Sequence, residues 1–206
     1  MGNAKQVLAE LIEKRLQPGA DVAAIDRQIW ALFGETWAVM LLDMAGFTKR
    51  TEEFGILHFL TLIHEMERLV RPIILAHYGL VLKKEADNLF VIFRDPEHAV
   101  RCAIEMQVAT AQYNLDHSVD AQVLLCIGIG YGQVLKIGDE DCFGSEVNFA
   151  SKLGEDTACA YETLLTPDAH AAVSSFNFEF EEITLTEGDK TRTYYQLKSE
   201  ELRMKN

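Results

Sequence analysis

The sequence predicts a single α+β domain preceded by a short extension, and three observations support this prediction. Short apolar runs typical of buried strands recur at residues 37–42, at two places within residues 80–93 that flank a polar turn, and at residues 122–132. Longer stretches with apolar residues at helical spacing separate these runs, at residues 52–78 and 96–113. The chain has 206 residues, of which 49% are hydrophobic, and this is enough to bury one sizeable core.

Two helices are expected before the domain, at residues 4–15 and 20–34, on either side of a Pro-Gly break at residues 17–19. We therefore divide the chain into an N-terminal helical extension, residues 1–36, and a domain, residues 37–206. The sequence leaves the role of the extension open. It can pack on the domain, pair with a second chain or join a regulatory partner.

The predicted elements of the domain follow the order β-α-β-β-α-β. This order is typical of a ferredoxin-like sheet with helices on one face. Beyond this unit, the pattern predicts a third helix near residues 145–153, a short strand at residues 162–165, and an extra C-terminal β-hairpin that turns at residues 187–189. The opposite face of such a sheet needs cover, and dimerisation is one way to provide it.

Composition and charge disfavour several classes of function. A formal net charge of −13 and a pI near 4.8 argue against binding to nucleic acid or to an anionic membrane surface. No apolar run approaches the roughly 20 residues of a membrane span, and the first residues lack the apolar core of a signal peptide. The four cysteines form no CxxC pair, so we expect reduced thiols and a cytoplasmic location.

Two carboxylates stand where strands end. The stretch LLDMAGFTKR places Asp43 directly after an apolar run, and VLKKEADNLFVIF places Asp87 in a tight turn between two strands. Each has a structural interpretation, since Asp43 can cap the next helix and Asp87 can simply form the turn. The alternative is that both converge at neighbouring strand ends, where paired carboxylates can hold divalent cations for phosphoryl chemistry.

A third segment, DCFGSEVNFASKL, favours the second alternative. It contains Asp141, Asn148 and Lys152, and the last two share one face of the predicted helix because they are four residues apart. An asparagine between Val147 and Phe149 is not what a purely structural helix prefers. The segment therefore indicates a polar site on this helix.

All three segments, in this order, resemble the class III nucleotidyl cyclase catalytic domain, most of all that of bacterial adenylyl cyclases. DMAGFT resembles the first metal-binding segment of the family, KKEAD its Lys-x-x-Gly-Asp turn, and DCFGSEVNFASKL its Asp-x-x-Gly-x-x-Val-Asn-x-Ala-Ser-Arg helix. The resemblance covers about residues 37–197. Each segment alone is a weak signal, whereas their joint order and spacing are specific.

The resemblance implies an adenylyl cyclase, a phosphorus–oxygen lyase that converts ATP to 3′,5′-cyclic AMP and pyrophosphate. It also implies a head-to-tail homodimer in which each active site is shared between two chains. Asp43 and Asp87 of one chain, assisted by the carbonyl of Met44, are then expected to hold two Mg²⁺ or Mn²⁺ ions per active site.

The resemblance further implies how the nucleotide binds. The backbone through Gly46, Phe47 and Thr48 is expected to receive the phosphates at a helix N-terminus. Lys83 and Asp141 of the other chain are expected to read the purine edge. A lysine donor and an aspartate acceptor suit adenine, whereas guanylyl cyclases typically place Glu and Cys at these positions.

The remaining expected roles concern the ribose and the negative charge that develops on the phosphates during the reaction. Asn148 is expected to orient the ribose, and Lys152 to face the phosphates. Lys152 replaces the arginine of the family and loses its planar fork, so slow catalysis is expected. Ala86 replaces a glycine, which the turn tolerates if its φ is negative. Two alternatives stay open, a weak or inactive nucleotide-binding regulatory dimerisation domain and a cyclase for another nucleoside triphosphate.

Overall fold

The computed structural model of the protein describes the backbone of residues 3–187 and 190–198, and their side chains except those of residues 3, 47–50, 186, 187 and 190. The helices are α1 (Asn3–Arg15), α2 (Val22–Phe33), α3 (Phe47–Phe54), α4 (Ile56–Ala76), α5 (Pro96–Asn114), α6 (Ser145–Ser151) and α7 (Pro167–Ala172). The strands are β1 (Gly34–Met44), β2 (Leu80–Glu85), β3 (Asn88–Phe93), β4 (Leu125–Ile137), β5 (Asp141–Phe143), β6 (Thr163–Leu165), β7 (Glu179–Glu187) and β8 (Lys190–Lys198). A 3₁₀ turn (Val119–Ala121) precedes β4, and a π-helical segment (Lys152–Thr157) continues α6.

The described strands join one sheet in the order β2-β3-β1-β4-β6-β8-β7, with β5 paired to β4. Strands β2, β3, β1 and β4 are antiparallel neighbours and form the βαββαβ unit with α4 and α5, so the predicted ferredoxin-like fold is confirmed. Strand β4 pairs in parallel with β6, which makes the extended sheet mixed. Strands β7 and β8 form the predicted C-terminal hairpin, and residues 188 and 189 of its turn lie outside the described residues.

Strand β1 and the long helix are two of the elements whose bounds differ from the prediction, as those of β4 also do. Strand β1 begins at Gly34 rather than Trp37, because Gly34 already pairs with Leu135 of β4. The long helix predicted at residues 52–78 is two helices, α3 and α4, separated at Gly55, whose φ of 84° lies in the region that favours glycine. No helix of the described residues is long and apolar enough to cross a membrane.

The main core lies between one face of the sheet and helices α4, α5 and α7. Alternate residues of β1, such as Met40 and Leu42, point to this face and are at most 1% exposed. They contact fully buried side chains of the helices, among them Phe59, Met66 and Met106. This side is almost entirely apolar, and burial on this scale is the main source of stability for the domain.

The opposite face carries α6, which lies close against the sheet. Val39 and Leu41 of β1 point to this side and pack with Ala150 of α6. Close approach depends on glycine, because a Cβ on Gly128 would collide with the carbonyl oxygen of Ala150 and lie 2.5 Å from the nitrogen of Gly154. The stretch IGIGYG therefore packs its backbone closely against α6 and the segment that follows it. Helices α4 and α5 of the βαββαβ unit lie on one face of the sheet as predicted, and α6 partly covers the other face.

The N-terminal extension packs on the end of the sheet. Leu11 of α1 and Ile29 and Phe33 of α2 form a buried cluster with Ile137 at the end of β4. Helix α2 passes into β1 without a loop, since Phe33 ends the helix and Gly34 starts the strand. The sequence left three roles open for the N-terminal extension, and the structure shows one of them, packing on the domain.

Candidate active site

Antiparallel pairing of β1 with β3 brings Asp43 and Asp87 together. Leu42 of β1 pairs with Leu89 of β3, so the residue after Leu42 lies beside the turn that precedes β3. Asp87 occupies that two-residue turn, since Glu85 pairs directly with Asn88 across it. Asp87 is 6% exposed, and its carboxyl group is in hydrogen-bond contact with that of Asp43.

The two carboxyl groups hold their protons more tightly than ordinary aspartates. Burial is the main cause and raises the pKa of Asp43 to about 7, and the neighbouring charge of Asp87 raises it further. Burial likewise raises the pKa of Asp87, against opposing hydrogen bonds from its own backbone and that of Met44. A weaker effect on Asp43 comes from the charge of Glu155. Because no cationic side chain of the described residues contributes to these pKa values, ionising both groups places two negative charges side by side without compensation.

The donor set of this pair fits a divalent cation. Asp87 Oδ2 is buried and has no hydrogen-bond partner among the described residues, which leaves an oxygen lone pair unused. Carboxylate oxygens are the ligands that Mg²⁺ and Mn²⁺ prefer. In the described part of the chain no third His, Cys, Asp or Glu joins them to complete a protein-only metal cluster. The remaining ligands of a cation would therefore have to be backbone, water or substrate oxygens.

The predicted phosphate-binding stretch follows Asp43 directly. Gly46 has a φ of 83° and stands before α3, which begins at Phe47. This left-handed conformation lets the chain turn from the strand into the helix within two residues. Phe47 and Thr48 form the start of α3, and their side chains lie outside the described residues.

Lys83 and Asp141 meet across the gap between β2 and β5. Lys83 Nζ lies 2.7 Å from Asp141 Oδ1, and the side chains are 36% and 17% exposed. The backbone N–H of Cys142 donates a second hydrogen bond to Asp141 Oδ1, at 2.8 Å. Strand β2 bulges at Leu82, immediately before Lys83, and such bulges redirect the following side chains. Lys84 points elsewhere and pairs with Glu67 of α4.

A cavity of about 220 Å³ opens beside this ion pair. Lys83, Asp141 and Asn148 line it together with apolar side chains that include Phe90 and Val147. A mixed lining of this kind suits a flat heterocycle, since the apolar walls contact its faces and the polar groups its edge. The structure thus brings three of the predicted nucleotide-binding residues around one cavity.

Asn148 also faces a second, wider cleft of about 470 Å³. Its other lining residues include Lys152, the first residue of the π-helical segment, and Arg192 of β8. Neither Asp43 nor Asp87 is among the described residues that line the cavity or the cleft. The carboxylate pair therefore lies outside the lining that the predicted nucleotide-binding residues share.

Two further residues belong to this region, Glu155, to which the sequence interpretation assigned no role, and Arg192 of the C-terminal hairpin. Glu155 lines the 220 Å³ cavity and acts on Asp43. The sequence could have indicated Glu155, because it follows Asn148 by seven residues and Lys152 by three. Residues at these spacings share one face of a helix. Arg192 lies in the C-terminal hairpin, where the sequence favours an exposed charge over a phosphate-binding role.

The fold and the site define an α+β domain with a carboxylate pair where adjacent strands end. The sequence profile of the adenylate and guanylate cyclase catalytic domain matches residues 34–199. The chain belongs to this family. Domains of this family bind a nucleotide substrate, generally depend on divalent metal ions and typically dimerise.

Individual relatives agree with this assignment. A Rhizobium meliloti protein provisionally named adenylate cyclase 3 is 28% identical over 116 residues, which is 56% of this chain and 20% of that protein. The chain spans between 9% and 39% of the length of the curated relatives it matches.

Two solved structures share the fold. An adenylate/guanylate cyclase/hydrolase from Silicibacter pomeroyi has a TM-score of 0.67 at 24% identity, covering 81% of this chain and 98% of that one. The adenylyl cyclase CyaB from P. aeruginosa has a TM-score of 0.63 at 22% identity, covering 81% of this chain and 95% of that one.

Proposed function

We propose that the protein converts ATP to 3′,5′-cyclic AMP and pyrophosphate as a head-to-tail homodimer with shared active sites. The observation that carries this proposal is that one cyclase-family domain contains two pairs of charged side chains, one of like charge and one of opposite charge. Asp43 and Asp87 form a partly buried pair of like charge, which suits a divalent cation. Lys83 and Asp141 form a pair of opposite charge beside a cavity, which suits the edge of adenine.

Asp43 and Asp87 would hold two Mg²⁺ or Mn²⁺ ions per active site, assisted by the carbonyl of Met44. When bound, these ions neutralise the triphosphate and lower the pKa of the ribose 3′-hydroxyl. The protein contributes the close, partly buried placement of the carboxylates and the N–H of Met44 that bonds to them. The unpaired Oδ2 of Asp87 supports this assignment.

Lys83 and Asp141 would select the base. Lys83 donates to N1 of adenine, and Asp141 accepts from the exocyclic amino group. Guanine presents its acceptor and donor in the opposite order along this edge, so one fixed Lys and one fixed Asp fit adenine better. Binding must open the 2.7 Å ion pair and replace it with hydrogen bonds to the base.

Catalysis would then consist of positioning and charge stabilisation. The ribose 3′-oxygen attacks the α-phosphorus in line, and pyrophosphate leaves. Asn148 orients the ribose and Lys152 faces the phosphates as charge builds. The backbone through Gly46, Phe47 and Thr48 binds phosphate oxygens at the N-terminus of α3.

A second candidate is a regulatory domain with the same fold and little activity. One observation favours it. Ala86 has a φ of 52°, so the turn that holds Asp87 is strained. The sequence interpretation required a negative φ at Ala86, and this condition is not met. A regulatory partner could bind the N-terminal extension, where Leu16 is 68% exposed and Leu32 is 56% exposed.

Product analysis tests the proposal. The purified protein is incubated with each common nucleoside triphosphate and Mn²⁺ or Mg²⁺, and the products are identified by mass spectrometry. Cyclic AMP formed from ATP alone is the expected result. A different cyclic nucleotide would identify another substrate, and no cyclic product from a folded dimer would favour the regulatory domain.

A further inference from the structure

Glu155 lies on the π-helical segment, close to the end of the sheet that carries the carboxylate pair. The backbone of the preceding residue, Gly154, packs directly on β1, because a Cβ added to Gly154 would lie 2.7 Å from the carbonyl oxygen of Leu41. Leu41 faces α6, and Asp43 lies two residues further along the same face of the strand. The π-helical segment therefore brings Glu155 to the face on which Asp43 lies, and such segments often occur at functional sites.

The lining of the 220 Å³ cavity gives a second indication of this placement. Glu155 lines the cavity together with Leu41 of β1 and Asn88 of β3. Asn88 directly follows Asp87, so the cavity reaches the end of the sheet where the carboxylate pair lies. Besides burial and Asp87, the negative charge of Glu155 also raises the pKa of Asp43. Three carboxylates of one chain therefore lie near one another at this end of the sheet.

Two buried oxygen atoms at the same end of the sheet lack a hydrogen-bond donor. Asp87 is 6% exposed, and its Oδ2 has no partner among the described residues. The same is true of Oδ1 of the neighbouring Asn88, which lines the cavity. Buried acceptors without donors are rare, because the loss of water around them is not compensated. Unpartnered oxygens beside clustered carboxylates favour a hard cation as the missing partner.

Ser151 of α6 holds the side chain of Glu155. Its Oγ donates a hydrogen bond to Glu155 Oε1 at 2.9 Å, across one helical turn. A side chain that is already anchored loses less conformational entropy when it binds something else. An ionised carboxylate can accept about four hydrogen bonds, so the bond from Ser151 leaves Glu155 able to accept others.

We infer that Glu155 is an outer carboxylate of the divalent-cation site, a positioning residue that stabilises the cation without coordinating it. The inference rests on the proposed function for the presence of that cation. Among the described residues no three such side chains are arranged to hold one ion together, so Glu155 is not a direct ligand in this arrangement. It would instead accept hydrogen bonds from the water molecules that complete the coordination of the cation, and its charge would attract the cation.

Titration of Mn²⁺ into the full chain without nucleotide, followed by electron paramagnetic resonance of the unbound ion, tests the inference without any turnover. Wild-type protein is compared with Glu155→Gln, Glu155→Asp, Ser151→Ala and the control Asp156→Asn. Asp156 is the next residue of the same segment, is exposed, and lines neither the cavity nor the cleft. Calorimetric titration of adenosine in the presence of chelator separates a role toward the cation from a role toward the base.

Glu155→Gln should weaken Mn²⁺ binding by about tenfold, the usual effect of losing an outer-shell group. Glu155→Asp should keep most of the affinity because it keeps the charge, and Ser151→Ala should lose about threefold because the carboxylate is no longer anchored. Asp156→Asn should change the affinity less than about twofold. The affinity of Glu155→Gln for adenosine in chelator should equal that of the wild-type protein, because Glu155 acts on the cation.

Equal Mn²⁺ affinity in Glu155→Gln and Asp156→Asn would overturn the inference, as would absence of Mn²⁺ binding to the wild-type protein at millimolar concentration. A Glu155→Gln protein that loses adenosine binding but keeps Mn²⁺ binding would also overturn it. The two proposals fail differently. Mn²⁺ binding that depends on Glu155, in a protein that makes no cyclic nucleotide, would keep the inference and reject the cyclase activity. Cyclic AMP synthesis by a protein whose Mn²⁺ affinity is insensitive to Glu155→Gln would do the opposite.

Discussion

Two pairs of charged side chains behave in opposite ways in this domain. Asp43 and Asp87 carry like charges, and burial raises the pKa of both. Lys83 and Asp141 carry opposite charges and neutralise each other at 2.7 Å. Repulsion in the first pair can be relieved by a proton or by a cation, whereas the second pair already neutralises itself. In the proposed function, metal binding would gain energy by removing repulsion, and base binding would gain specificity by exchanging hydrogen-bond partners.

The largest expected effect comes from breaking the like-charged pair. Asp87→Ala should reduce cyclic AMP synthesis by about 10³-fold or more, because the remaining carboxylate cannot hold two cations. The measurement is the initial rate of cyclic AMP synthesis in the presence of Mn²⁺. Asp139→Ala is a matched control, since Asp139 is also a turn aspartate but bonds Lys136 on the surface. Undiminished activity of Asp87→Ala would remove Asp87 from the metal site.

The two pairs should act in one site from different chains. Mixing inactive Asp43→Ala chains with inactive Asn148→Ala chains should restore about a quarter of wild-type activity, because half of the dimers are mixed and each keeps one intact site. Each variant alone provides the baseline. Mixed dimers, demonstrated by differently tagged chains, that stay inactive would contradict the shared site.

Converting the second pair into a like-charged pair sharpens the comparison. Lys83→Glu alone should lose activity with ATP, because two adjacent carboxylates then repel each other. Adding Asp141→Cys should relieve this and lower the ratio of kcat/KM for ATP over GTP by about 10²-fold. Steady-state kinetics with both nucleotides measure the ratio. An unchanged preference in the double variant would show that other residues select the base.

The repulsion in the first pair should also be visible in stability. Asp43 has a folded-state pKa of about 7 against roughly 4 in the unfolded chain, so the folded state is favoured below pH 4 and loses this advantage as pH rises through 7. In chelator at pH 8, Asp43→Asn should stabilise the protein by about 1–2 kcal/mol, measured by urea unfolding.

At pH 4 this difference should vanish, because the wild-type carboxyl is then protonated. Adding Mn²⁺ at pH 8 should stabilise the wild-type protein more than Asp43→Asn. A variant less stable than wild type at pH 8 in chelator would show that the carboxylate is satisfied without a cation.

The smallest expected effect concerns the turn that holds Asp87. Ala86→Gly should stabilise the protein by about 1 kcal/mol, because glycine adopts a φ of 52° without steric cost. Ala31→Gly, on an exposed position of α2, should destabilise by about the same amount. Thermal unfolding of both variants gives the comparison. A loss of stability in Ala86→Gly would show that the turn is not strained.

Much of the fold followed from the sequence because its signals are local. The alternation in β1 and the periodicity of α5 specify element type, and the order of elements specifies the sheet. The division of the long helix at Gly55 was not predicted, because a glycine inside a helical pattern is also compatible with a continuous helix. The start of β1 at Gly34 depends on pairing with β4, which no local signal contains.

The residues of the candidate site likewise divide into those that local sequence signals predict and those that depend on tertiary packing. Residues in motifs, such as Asp43 and Asn148, were identified because their spacing is specific. Arg192 was not placed, because its position in the cleft depends on how β8 lies relative to α6. The raised pKa of Asp43 depends on burial, which is a property of the folded chain. The sequence therefore identifies the ionisable side chains of the site, whereas tertiary packing determines their pKa values.

The direct passage from α2 into β1 has a practical consequence for engineering. Phe33 ends the helix and Asp43 lies near the far end of the 11-residue strand, about 30 Å away at the usual rise per residue. Lys5 of α1 pairs with Glu140, the residue before Asp141, so a fluorescent protein or surface tether attached close to residue 3 would lie nearer to the Lys83–Asp141 pair than to the carboxylate pair of the same chain. Such a handle should leave the carboxylate end of that chain open to small molecules and perturb the end that holds Lys83 and Asp141.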